Sequence, residues 1–236
     1  MIAAREVSSR ELLDIFVERI ETLDEVVNAV VTLDLDRARA AADEADAATA
    51  AGTATGVLHG VPITVKDALA VAGVRSTGGA TELADHVATT DADFVALVRR
   101  ACAIPFDKTN VPRWSGDFQT YNDVFGTTHT PWDTTRTPGG SSGGPAAAVA
   151  RGTGGFELGT DIGGSIRVPA AFNGICGHNP SFGLVPCGGY IDRVAYGRTE
   201  PDINVHGPLA RSIDDLEVLM DLLAAPRPDR SIAVDH

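Results

Sequence analysis

Pro138-Gly-Gly-Ser-Ser-Gly-Gly144 and Gly159-Thr-Asp-Ile-Gly-Gly-Ser-Ile-Arg-Val-Pro169 decide how this chain is read. Two glycine-padded serine clusters flank a segment that predicts a short helix, Pro145 to Arg151, and a strand, Phe156 to Asp161. Pro145 suits a first helical turn, where a missing N–H costs nothing. Glycine lets backbone turn sharply and approach another group closely. A serine in such a turn exposes its hydroxyl and collects backbone N–H groups around one point, which makes it a candidate nucleophile.

Three mechanisms compete for this stretch. A phosphate-binding loop needs Gly-Lys-Ser/Thr after its first glycine, and neither cluster supplies the lysine. The hydrolase elbow Gly-x-Ser-x-Gly fails at its last position, because Arg167 stands where the glycine belongs. The third is a serine served by a lysine. The six histidines are scattered without metal-ligand spacing, and only His178 lies near the serines. A Ser-His-Asp triad stays open, since its members need not be close in sequence.

Upstream, Ser8 and Glu11 form a capping-box pattern, and Leu12, Leu13, Phe16, Ile20 and Leu23 recur at helical spacing, predicting a helix over Ser9 to Leu23. A short strand is expected over Ala29 to Leu33, and an alanine-rich helix over Asp34 to Ala51. Ile63 to Val65 read as a buried strand with Lys66 at its end. A helix is expected over Thr90 to Ala101. Ala103 to Phe106 should be a strand at an edge, or bent, because Pro105 cannot donate to a ladder. Trp114, Phe118, Tyr121, Phe125 and Trp132 crowd a loop-like segment, as core beneath a loop or as an apolar pocket wall. Ser212 and Asp215 open a helix carrying Leu216, Leu219, Met220 and Leu223 on one face, and Pro226 to His236 read as a linker-like tail.

The chain is long enough for one sizeable domain, read here as 1–236. A net charge of -13 argues against direct nucleic-acid binding. Three cysteines without a Cys-x-x-Cys pair suit a reducing compartment. No run approaches the roughly 18 apolar residues of a membrane span, and no basic-then-apolar leader opens the sequence. The expectation is a cytoplasmic protein that is not held in a membrane.

Four blocks occur in a set order: Gly60-Val-Pro-Ile-Thr-Val-Lys-Asp67, Lys108-Thr-Asn-Val-Pro112, Thr137-Pro-Gly-Gly-Ser-Ser-Gly-Gly144 and Gly159 to Ala170. With them the chain resembles the amidase signature family of serine amidohydrolases. The resemblance implies an α/β fold, a mixed sheet with helices on both faces, cut short at its C-terminal part. It implies Ser165 as acylated nucleophile, Ser141 as bridging serine after a cis Gly140–Ser141 bond, and Lys66 as general base. The N–H groups of Ile162, Gly163, Gly164 and Ser165 would form the oxyanion hole. Ser142, Thr160, Asp161 and Arg167 would support it, the last two as a structural ion pair at least as readily as a catalytic one. The family's Gly-Leu-Lys-Pro-Thr appears here as Gly177-His-Asn-Pro-Ser181.

The implied activity is hydrolysis of a small-molecule carboxylic amide to acid and ammonia or amine through an acyl-enzyme, with no metal or organic cofactor. Two alternatives stand beside it. One is a catalytically silent or partner-dependent fragment. The other is a component like the glutamine-hydrolysing polypeptide of a tRNA-dependent amidotransferase. The partners left open are a second copy of the chain and a complementary C-terminal polypeptide.

Overall fold

The computed structural model describes residues 1–190 and 203–224. The tail read over Pro226 to His236 lies outside the described residues. Helix α1, Ser9–Val27, opens on the expected capping box. The Ser8 hydroxyl accepts the Glu11 N–H, and the Glu11 carboxylate accepts the Ser8 N–H. The helix runs four residues past the expected end and stops at Asn28, whose left-handed backbone donates its N–H to the Asp24 carbonyl. Strand β1, Val30–Leu33, leads into α2, Leu35–Ala51, closed by Gly52.

Strand β2 is shorter than expected and one residue earlier, Pro62–Ile63, and pairs in parallel with β3, Ile104–Pro105. Ile104 N–H and Phe106 N–H reach back to the Val61 and Ile63 carbonyls, so the donorless Pro105 falls between two ladder bonds. The chain then changes partner. Strand β4, Asp107–Thr109, pairs antiparallel with β1. This element was not expected, because its residues are polar. All three are nonetheless buried. An isolated parallel bridge, Lys66 to Thr109, ties the end of the β2 segment to β4.

Helix α3 spans Asp93–Arg100, three residues later at its start than expected. A small hairpin follows, β5 Tyr121–Asn122 with β6 Gly126–Thr127. None of the five aromatics of this segment is buried, so the core reading of that cluster is corrected. Helix α4, Gly143–Arg151, begins two residues before Pro145, and β7, Phe156–Asp161, falls where expected. After α5, Arg167–Asn173, the chain forms β8, Cys176–Gly177, and β9, Val205–Ala210. Strand β9 lies between β7 and β8, antiparallel to both. Helix α6, Ile213–Leu223, is capped by the Ser212 hydroxyl and buries Leu216, Leu219 and Leu223.

Alternate residues of a strand face opposite sides. On β9, Leu209 packs with Ile166 and Ala170 around α5, whereas Ala210 joins the core of α3 and α6 with Phe94, Leu97, Leu216 and Leu219. Helices therefore cover both faces of β7–β9–β8. Parallel and antiparallel pairing coexist in this α/β fold.

Candidate active site

Lys66 leaves β2 with its side chain completely buried. Its Nζ donates to three hydroxyl oxygens, Thr160 Oγ1 at 2.7 Å, Ser141 Oγ at 2.8 Å and Ser142 Oγ at 2.9 Å. Burial lowers its pKa from 10.5 to about 7, against the pull of Asp161 and Glu157. A desolvated ammonium held by hydroxyls is easily deprotonated.

The three hydroxyls come from two elements. Ser141 and Ser142 end the first glycine–serine loop, just before α4, and the Gly140–Ser141 peptide is cis. Thr160 lies at the end of β7. Ser165 is half-buried in the turn between β7 and α5, and its carbonyl accepts the Ser142 N–H at 3.1 Å. That bond stitches the Ser165 turn to the loop bearing Ser141. Gly164 within the turn has φ +125°, which side-chain-bearing residues rarely adopt.

Asp161 holds the turn closed. Its carboxylate accepts the N–H groups of Gly164 (2.7 Å), Ile166 (3.0 Å) and Arg167 (3.4 Å), and pairs with the Arg167 guanidinium at 3.0 Å. Burial opposes its charge. The Arg167 guanidinium and the N–H groups of Ile166 and Gly164 outweigh burial and keep the acid well below the usual carboxylate range. This corrects one expectation. The Gly164 N–H is spent on Asp161, which leaves Ile162, Gly163 and Ser165 as candidate oxyanion donors. Ile162 and Gly163 are exposed beside Ser165. The Phe118 ring stands next to the turn, where a methyl group on Gly164 would meet it at 3.7 Å. The backbone N–H of His178 donates to the Pro208 carbonyl beside β8.

Two neighbouring acids escaped the sequence reading. Glu157, fully buried on β7, is pushed up to about 7 by burial. Asp107, buried on β4, is raised well above its ordinary value by burial, then by Glu157 and Asp24. The available signal was an acid flanked by apolar residues, Phe156-Glu-Leu158 and Phe106-Asp107.

A family model for amidases matches residues 11–236, and the chain belongs to the amidase signature family. The glutamyl-tRNA(Gln) amidotransferase of Aromatoleum aromaticum has an A-type subunit that is 41% identical over 233 residues, which are 99% of this chain and 46% of that protein. Its counterpart in Acidothermus cellulolyticus is 40% identical over 235 residues, 100% of this chain and 45% of that one. The chain thus spans about half the length of the curated relatives it matches. Among solved structures, the crystal structure of an amidase superposes with TM-score 0.85 at 35% identity, covering 94% of this chain and 50% of that one. The peptide amidase from Stenotrophomonas maltophilia does so with TM-score 0.84 at 30% identity, covering 96% and 47%.

Proposed function

We propose that this chain carries the acylating machinery of a serine amidase. The Ser165 hydroxyl attacks the carbonyl carbon of an amide. Its proton passes to Ser141 as the Ser141 proton passes to Lys66, and the same route returns a proton to the departing amine. Water then attacks the acyl-Ser165 ester and releases the acid. The N–H groups of Ile162, Gly163 and Ser165 stabilise the oxyanion.

The observation that carries this reading is the surroundings of Lys66. An ammonium has three N–H donors and no acceptor, whereas a hydroxyl both donates and accepts. When Lys66 loses a proton, Ser141 can turn its hydroxyl hydrogen toward the free amine, and no buried group is left unpartnered. A fluorophosphonate probe tests the assignment. It should label Ser165, and Ser165→Ala should abolish labelling. Labelling that persists in that variant moves the nucleophile elsewhere.

A second reading is favoured by the relatives named as amidotransferase components. Here the amide is that of glutamine, and release of ammonia depends on partner polypeptides and ATP. The substrate is a small amide in either case. The polypeptide partner left open is one carrying the family's C-terminal part, and we expect residues 1–236 assayed alone to self-associate and turn over amides weakly. Size-exclusion chromatography beside an ammonia-release assay, with simple amides and with glutamine, separates these readings. A stable monomer with ordinary amidase turnover would show that no complementary half is needed.

A further inference from the structure

Behind the hydroxyl cage lies a second group of buried ionisable side chains. Glu157 sits on β7, three residues before Thr160. Its Oε1 accepts the Leu158 N–H at 3.1 Å and its Oε2 accepts the Thr109 hydroxyl at 3.2 Å. Thr109 also brackets Lys66 through the backbone. Its N–H donates to the Val65 carbonyl at 3.0 Å, and its carbonyl accepts the Asp67 N–H at 2.9 Å. Two residues earlier on the same face of β4 is Asp107, 3% exposed, whose carboxylate has the Val65 N–H as its one hydrogen-bond donor among the described residues.

A buried carboxylate with a single backbone donor, facing other acids, keeps its proton. Asp107 is then the neutral acid of the pair. Glu157, which accepts from the Thr64 and Thr109 hydroxyls and from the Leu158 and Lys66 N–H groups, is the one able to carry charge. We propose that Glu157 is a positioning residue for the base, whose carboxylate, fixed by Thr109 beside the Lys66 backbone, sets when Lys66 becomes a free amine. The inference rests on the reading of Lys66 as base.

The charged groups packed around the pair fit this assignment. Asp161 also favours the Lys66 ammonium, but Arg167 holds it ionised, so its influence is constant. Lys108 faces Asp67, Glu157 and Asp107. Asp24, pushed up to about 6 by burial, faces Asp107, and Arg151 faces Asp24. Glu157 and Lys66 both titrate near 7, so their protons leave as those of a coupled pair. Glu157 is the variable charge, Asp161 the fixed one.

The chain has two lysines, Lys66 and Lys108, so labelling lysine with 13C at Cε yields two resonances, assigned through Lys66→Met. Titration of the wild-type chain and Glu157→Gln reads Lys66 directly, whether or not amides are turned over. Removing the anion should lower the Lys66 midpoint by about half a pH unit or more. The acid limb of Ser165 labelling by the fluorophosphonate should move down with it. Thr109→Val keeps both ionisable groups and removes one donor from Glu157, so it should produce a smaller shift in the same sense. A Lys66 midpoint unmoved in both variants overturns the proposal. A midpoint that moves while the labelling limb stays put upholds the Glu157–Lys66 coupling and overturns the role of Lys66 as base.

Discussion

Lys66 and Lys108 are equally buried, and burial lowers both, Lys66 to about 7 and Lys108 to about 8. Their partners differ in kind. Lys108 Nζ donates to the Leu69 carbonyl at 2.6 Å, the Ser76 hydroxyl at 2.8 Å and the Asp67 carbonyl at 3.4 Å, with the Asp67 carboxylate 3.8 Å away. Carbonyls and carboxylates only accept, so removing a proton from Lys108 strands a buried oxygen. Lys66 donates to hydroxyls, three of them. The difference between a lysine that can act as a base and one that pins a loop lies in the partners, not in the depth of burial.

Removing each lysine in turn is the strongest way to break this comparison. Lys66→Ala should slow fluorophosphonate labelling of Ser165 by about 10²–10⁴-fold or more, the usual range for general-base catalysis. Labelling near the wild-type rate would dissolve the distinction at once. Lys108→Met should act on the fold. It leaves the Leu69 carbonyl and the Asp67 carboxylate without their cation, at a cost of about 3–5 kcal/mol. Urea unfolding should show that loss, while the folded fraction still labels Ser165. A variant of full stability that fails to label would make Lys108 part of the chemistry.

The sequence was most informative where local rules and tertiary structure agree. The Ser8–Glu11 box, the Ser212 cap and the strand over 156–161 all stand as read. It was least informative where burial overrides local character. Strand β9 contains Gly207 and Pro208, residue types that disfavour a central strand. Yet it is the middle strand of its sheet, and a Cβ at Gly207 would collide with the His178 carbonyl. Strand β4 carries no apolar signal, because Asp107, Lys108 and Thr109 are polar. At the site, the motifs locate Lys66, Ser141, Ser142 and Thr160, and the structure gathers these four by hydrogen bonds. What spacing could not show is where each N–H points. The Gly164 donor turns to Asp161. Nor could it show that Glu157 and Asp107, fifty residues apart, meet behind the lysine.

The gentlest probe of the comparison is the pH dependence of stability around Lys66. Glu157 has a folded-state pKa raised from 4.5 to about 7. Between those values the folded chain binds more protons than the unfolded chain. Its contribution to stability is therefore complete below about 4.5 and is lost as pH rises through about 7. Lys66 and Lys108 have the opposite sense. Their lowered values make stability rise with pH from about 7 or 8 toward 10.5. Glu157→Gln removes the first effect and, by lowering the Lys66 midpoint, starts the Lys66 rise at lower pH, a change of the same sign. The variant should therefore gain on the wild type between about pH 5 and pH 8, by roughly 1–3 kcal/mol in urea unfolding. If the stability difference between the two proteins is the same at both ends of that window, Glu157 does not change its charge within it. The surroundings of Lys66 would then be as fixed as those of Lys108.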